Sequence, residues 1–319
     1  MALVMTDVAL SLLSLVVPCY NEEETLVPFL QETERVLTQI GGIRAEIVFV
    51  DDGSSDRTLE TIKNLRTTGA EIRWVSFSRN FGKESAIMAG LEAARGDYVA
   101  LLDADLQDPP SLLPEMLKAV REEGYDSAGT RRSTRKGEPP IRSWFARRFY
   151  RLMNAISEVE LVDGARDYRL YTRQAVKALL SLHEYNRFSK GLFAWIGFKT
   201  KWFEYENIER VAGTTKWSFR KLFLYSIEGI VAFSTAPLVI SAMVGCLMMV
   251  ASIICAVALA VRQMLYHNSV DGWTSLVIII MALAGIQLFF LGVIGQYIAK
   301  MYMETKRRPL YIVRQSSES

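Results

Sequence analysis

Residues 103–107 read Asp-Ala-Asp-Leu-Gln and follow directly on the apolar run Tyr98–Leu102. At strand spacing, Asp103, Asp105 and Gln107 project to the same side. Three oxygen donors on one side suit a hard divalent cation, Mg²⁺ or Mn²⁺, that already carries phosphate ligands. Alone, such an acidic pair more often solvates a loop or caps a helix, and Asp108 before Pro109 and Pro110 reads as a helix N-cap. It does not stand alone. Pro18-Cys-Tyr-Asn-Glu-Glu23 and Asp51-Asp-Gly-Ser-Ser-Asp56 are further polar clusters, each directly after an apolar run. Asn21 with Glu24, and Asp56, fit helix caps. Asp51 beside Asp52 needs a donor or a cation nearby to hold two adjacent carboxylates. Ser78–Ser85 brings Arg79, Gly82 and Lys83 to the start of a helical pattern, which suits an anion at a helix N-terminus.

The elements that must position these residues alternate. Leu12–Val17, Glu46–Val50, Ile72–Phe77 and Tyr98–Leu102 read as strands. Glu23–Ile40, Arg57–Thr67 and Lys83–Ala94 carry apolar residues at helical spacing. Strand–helix alternation predicts an α/β fold with a mostly parallel sheet covered on both faces. Ligands of such sheets bind outside the carboxyl ends of the strands, where the three acidic clusters fall. No Gly-x-Gly-x-x-Gly or Walker-type loop is present, which excludes the usual dinucleotide and P-loop readings.

The 319 residues carry a formal charge of +2 and are 50% hydrophobic, and the apolar content is unevenly spread. Thr235–Val261 and Trp273–Ala299 are almost free of charge, and each exceeds the ~20 residues that a helix needs to cross a bilayer core of ~30 Å. Two membrane spans are expected. Arg220, Lys221, Lys300, Lys306, Arg307 and Arg308 flank their outer ends, whereas the connection, Arg262–Gly272, holds one Arg, one His and one Asp. The positive-inside rule then puts the N-terminal domain and the C-terminal tail in the cytoplasm. Met1–Val17 lacks the basic start and small-residue cleavage site of a signal peptide. Cys19, Cys246 and Cys255 have no paired spacing, which fits a reducing compartment. Ile141–Met153 mixes aromatic and apolar residues with Arg142, Arg147, Arg148 and Arg151, as in a helix lying in a membrane interface. An ordinary basic surface helix is the alternative.

Taken together, Val-Val-Pro-Cys-Tyr-Asn-Glu-Glu (16–23), Val-Asp-Asp-Gly-Ser-Ser-Asp (50–56), Arg-Asn-Phe-Gly-Lys (79–83) and Asp-Ala-Asp-Leu-Gln-Asp-Pro-Pro (103–110) resemble the family 2 glycosyltransferases of GT-A fold. The resemblance is to their polyprenyl-phosphate sugar transferases, such as dolichol-phosphate mannose synthases and bactoprenol glucosyltransferases. It extends through Asp167-Tyr-Arg-Leu170, Arg187–Phe198, Glu209–Trp217 and both apolar runs. The resemblance implies that Pro18, Tyr20, Glu22, Val50 and Asp52 hold the base and ribose of a nucleotide. It implies that Asp103, Ala104, Asp105 and Gln107 meet the diphosphate, with Asp103, Asp105 and Gln107 on the metal. Arg131 would reach the donor, and Arg210 and Lys216 would close over the diphosphate. Asp167 matches the carboxylate at the reacting centre, although between Arg166 and Arg169 it also fits a structural ion pair. A phosphate acceptor is already an anion and needs no strong general base, so Asp167 would orient the acceptor or stabilise an oxocarbenium-like centre. Arg142 or Arg147 would meet the lipid phosphate.

These expectations divide the chain into a cytoplasmic catalytic domain (1–215), a juxtamembrane interfacial helix (216–234), two transmembrane helices (235–261 and 273–299) and a cytoplasmic tail (300–319). The activity implied is inverting transfer from a UDP-sugar, glucose first, with N-acetylglucosamine or galactose as alternatives. The acceptor is undecaprenyl or another polyprenyl phosphate at the bacterial inner membrane, and the product serves cell-envelope glycan modification. The expected partners include a second copy of the chain and no nucleic acid. A processive polysaccharide synthase would carry Gln-x-x-Arg-Trp and more spans. A non-enzymatic, membrane-anchored nucleotide-sugar scaffold is the rival from another class, against which intact Asp103, Asp105, Asp167, Arg210 and Lys216 argue.

Overall fold

A computed structural model describes residues 10–133, 148, 150–157, 159–185, 187–206, 229–266 and 272–318. The expected strands and helices form, with shifted ends. They are β1 (Ser11–Cys19), α1 (Leu26–Leu37), β2 (Ile43–Asp51), α2 (Thr58–Asn64), β3 (Glu71–Phe77), α3 (Lys83–Ala93) and β4 (Tyr98–Leu101). Beyond them lie α4 (Leu113–Glu122), β5 (Ser127–Arg132), β6 (Ala165–Thr172), α5 (Arg173–Leu180), α6 (Ser189–Trp195) and β7 (Thr200–Tyr205). Two long helices, α7 (Ala236–Tyr266) and α8 (Trp273–Lys306), and the strand β8 (Val313–Ser316) complete the described chain.

One eight-stranded sheet runs β7-β5-β6-β4-β1-β2-β3-β8. Four of its seven pairings are parallel, including β1 with both β2 and β4. Strand order reverses between β1 and β4, and such a switch point opens a crevice at the strands' carboxyl ends. Pro18–Glu22 leave β1 there, and Asp103–Gln107 leave β4 there.

Burial on both faces explains the nearly continuous apolar strands. Leu13, Leu15 and Val17 of β1 pack with Phe29, Val36 and Met116 from α1 and α4. Val16, on the opposite face, packs with Ile87, Leu91 and Val176 from α3 and α5. On α1 the buried residues Leu26, Phe29, Leu30, Thr33, Val36 and Leu37 recur at helical spacing, so one face of this helix docks on the sheet. Gly90 lets α3 lie close on β1, because a Cβ there would collide with the Val16 side chain.

The two apolar stretches are long helices, and neither has its apolar window buried inside the protein. A core helix of a soluble domain would be covered, whereas Met243, Leu247, Met281 and Leu288 are exposed. Arg262 belongs to α7 rather than to the connection. The expected tail contains β8, which pairs antiparallel with β3.

Candidate active site

Each acidic cluster of the sheet edge meets a different set of donors. Asp51 and Asp52 need no cation. Asp51 accepts from Ser54 N (3.0 Å) and Ser76 Oγ (2.7 Å), and Asp52 accepts from Phe81 N (2.6 Å) and Gly82 N (2.9 Å). Burial pushes the Asp52 carboxyl above its usual range despite those two bonds. Asp52 thus fixes the 79–82 loop, which aims Lys83, the first residue of α3, into the crevice. Pro18 pairs in register with Val50 at the β1–β2 end, and Tyr20 is exposed beyond it. Glu22 accepts from Thr25 Oγ1 (3.0 Å), and its N–H donates to Thr58 Oγ1 (2.8 Å). Asp56 accepts from Thr58 N (3.0 Å) just before α2, whose N-cap position is Arg57 and which has no side-chain cap. Asn21 instead accepts from Ser55 N (2.9 Å) and bridges two loops, and α1 has no side-chain cap.

The Asp-x-Asp segment is a turn rather than an extension of β4, which ends at Leu101. Leu106 has φ +56°, and Gln107 N donates to Asp105 Oδ1 (3.1 Å). The strand-spacing argument for three donors on one side therefore fails: turn geometry places Asp103, Asp105 and Gln107, with Ala104 buried between the two acids. Asp108 is not a cap either. It is buried, pairs with Arg166 Nε (2.9 Å) and accepts from the Tyr205 hydroxyl. This pair, buried at its Asp108 end, ties the turn to the strand that carries Asp167.

Lys83 joins the two halves of the crevice. Its Nζ lies 2.8 Å from Asp103 and 2.7 Å from Asp167 Oδ2. The three side chains are 43%, 23% and 26% exposed, so the cluster is open to solvent on one side. Burial acts to raise the Asp167 carboxyl, but Lys83, Lys190 and Arg166 outweigh it and hold that carboxyl well below the usual range. Burial leaves Asp103 above its usual range even with Lys83 beside it. Asp167 is thus a fixed negative charge and a poor proton acceptor.

Arg131, on β5, pairs with Glu204 of β7, so a donor contact from Arg131 must compete with that bond. Arg142, Arg147, Arg210 and Lys216 lie outside the described residues. Among the described residues no three His, Cys, Asp or Glu side chains gather around one point. Asp103, Asp105 and Gln107 offer hard oxygen donors only, which fit a Mg²⁺-type ion that completes its shell with nucleotide oxygens and water. Sequence reasoning placed Lys83 at a helix start suited to an anion but did not pair it with Asp103 and Asp167. It also missed the Asp108–Arg166–Tyr205 cluster, whose partners are 58 and 97 residues apart along the chain.

A parallel-cored α/β sheet with acids converging on its switch point has the arrangement of a GT-A-like fold. The family model described as "Glycosyl transferase family 2" matches residues 14–180, and the chain belongs to that family. CsbB of Bacillus subtilis (strain 168), whose name gives it provisionally as a glycosyltransferase, is 44% identical over 96% of this chain and 92% of its own. A prophage bactoprenol glucosyl transferase homolog of Escherichia coli (strain K12) is 38% identical over 95% of this chain and 98% of its own. The bactoprenol glucosyl transferase of Shigella phage SfII is also 38% identical, over the same shares. These alignments span both apolar helices as well as the catalytic sheet. The protein is an enzyme, a glycosyltransferase.

Proposed function

We propose that this glycosyltransferase moves a sugar, glucose first, from its UDP carrier to a polyprenyl phosphate at the cytoplasmic face of a bacterial membrane. The observation that carries the reading is near-full-length similarity to relatives named as bactoprenol glucosyl transferases, joined to the Asp103–Lys83–Asp167 cluster. An acceptor phosphate oxygen attacks the anomeric carbon as its bond to the diphosphate oxygen breaks. UDP leaves, and configuration inverts. Asp167, held ionised, faces the positive charge that develops on the sugar ring. It has no proton to remove, because the acceptor arrives as an anion. A divalent ion held by Asp103, Asp105 and Gln107 would neutralise charge on the departing diphosphate. Lys83, with Arg210 and Lys216 from the sequence before the first apolar run, adds cations for the same purpose. Pro18, Tyr20, Glu22, Val50 and Asp52 frame the nucleotide end, and Arg142 or Arg147 the lipid phosphate.

The division into a catalytic domain (1–215), a juxtamembrane segment (216–234), two spans and a tail is part of the same proposal. Charge outside the spans supports a cytoplasmic placement of both ends. The fold supports this placement: β8 follows α8 yet pairs with β3, as expected of two spans that return the chain to the side it left. Assembly into homo-oligomers belongs to the proposal too. The test is UDP release by purified protein. Release that requires both undecaprenyl phosphate and a divalent metal is expected, fastest with UDP-glucose. UDP-N-acetylglucosamine or UDP-galactose as the better donor would change the sugar and leave the acceptor standing. Release indifferent to the lipid would overturn the reading.

A further inference from the structure

Asp167 and Arg169 lie on the same face of β6, and beside Arg169 is a cavity of about 200 Å³. Arg169, Phe193, Trp202, Lys190, Tyr150 and Ala194 are among the residues that line it. Arg169 is only 4% exposed, with its guanidinium 4.8 Å from the Phe193 ring and 4.8 Å from the Trp202 ring. Its Nε donates to Arg166 O (3.4 Å), the guanidinium acts on the neighbouring Tyr171 hydroxyl, and it forms no ion pair with any described residue. A buried guanidinium without a carboxylate is costly unless an anion completes it. Gly129 of β5, which stands between Arg169 and Trp202 in the sheet, leaves room for this arrangement, since a Cβ there would come within 3.0 Å of the indole.

Lys190 is the second cation. It is half-buried, has no hydrogen bond or ion pair to a described residue, and is near enough to lower the Asp167 carboxyl. Among the described residues the only acidic one in the lining is the exposed Glu160. The cavity therefore combines two cations with aromatic walls. Its position narrows the choice of ligand. Tyr150 and Ala194 also pack in one cluster with Ile230 and Phe233. Three residues after Phe233, α7 begins at Ala236, and Gly191 of α6 lies directly against the Phe233 ring. The cavity thus stands between the reacting carboxylate and the foot of an exposed apolar helix.

We infer that this cavity receives the head of the acceptor lipid, with Arg169 and Lys190 joining Arg142 or Arg147 on its phosphate and with its first prenyl unit against Phe193 and Trp202. The inference rests on the acceptor class given under Proposed function. It adds a site for the anion and its apolar neighbour together, where a bare phosphate would leave the aromatic walls unused.

The test uses full-length protein in detergent, with farnesyl phosphate, inorganic phosphate and UDP as probes. Lys190→Gln removes a cation without touching the buried Arg169, and Ala194→Phe fills the cavity from the α6 side. Each should weaken farnesyl phosphate binding by about tenfold or more while leaving UDP affinity unchanged. Inorganic phosphate should bind the unaltered protein at least about tenfold more weakly than farnesyl phosphate. Unchanged farnesyl phosphate affinity in both folded variants would overturn the inference yet spare the acceptor reading, which stands or falls on UDP release. Equal binding of inorganic and farnesyl phosphate would remove the prenyl half and with it the inference. Loss of UDP-glucose binding in place of farnesyl phosphate binding would make the cavity a sugar site and overturn it as well.

Discussion

The same sheet holds carboxylates in two opposite ways. Toward its amino edge, Glu46 is 1% exposed and accepts from Ser14 Oγ (2.5 Å), Arg95 N (2.7 Å) and Arg73 Nη1 (2.9 Å). Arg73 goes on to Ala93 O (2.6 Å) and to Glu318 (2.5 Å), so Glu46 is saturated by protein groups. At the carboxyl edge, Asp103 and Asp167 share a single ammonium, Lys83, and stay partly open. Saturated carboxylates stabilise a fold. Carboxylates that share one flexible cation keep lone pairs for a ligand and can trade that cation for another charge.

Four substitutions would break or sharpen this contrast. The largest effect is expected at Asp105: Asp105→Ala should lower transfer by on the order of 10³ while the protein stays folded in detergent. Full activity in EDTA without added metal would sink the metal assignment. Asp167→Asn keeps shape and removes charge, and should lower kcat by about 10²–10³ with UDP affinity preserved. A lower Tm with near-normal kcat would show instead that Asp167 is a structural partner of its cations.

Glu46→Gln should do the reverse, removing about 3 kcal/mol of stability and leaving kcat per folded molecule nearly intact. Its pH dependence follows from the carboxyl itself. Burial would raise it, but Ser14, Arg95 N and Arg73 outweigh burial and hold it below the usual carboxylate range. A lowered pKa contributes stability that is full above the unfolded value and is lost as pH falls through the folded one. Tm should therefore drop on acidification below about pH 4.5, and Glu46→Gln should flatten that drop. An identical profile in the variant would place the acid sensitivity elsewhere. The smallest effect is expected from Arg95→Ala, whose side chain bonds half-exposed Glu318, at less than about 1 kcal/mol by thermal unfolding.

Where a side chain's fate depends on local pattern, the sequence was legible. Alternation of β-rich and helical runs located β1 to β4 and α1 to α3, and charge-free length located α7 and α8. Three acidic clusters were correctly assigned to the sheet's carboxyl edge. What could not be read depends on partners far along the chain. Asp108 before two prolines looks like a helix start, yet it is claimed by Arg166 and Tyr205. The Asp103–Gln107 segment follows an apolar strand, so extended spacing was the natural expectation, but Leu106 takes a left-handed backbone and turns the chain. Val313–Ser316 has no strand pattern to read. It is a strand because backbone groups of Val75, Ser76 and Phe77 offer it an edge, with Tyr311 stacked 4.8 Å from Phe77 just before it.

That last strand sets an order of events in biosynthesis. β3 leaves the ribosome early, whereas the segment that covers its edge is translated only after both apolar helices. Until then Val75–Phe77 present unpaired N–H and C=O groups, a template for another chain. Closure of the sheet must wait for α8 to emerge and for its end to come back to the catalytic domain. A chain stalled or misdirected at α8 keeps that edge bare, so the finished sheet doubles as a record that the helical pair has been completed.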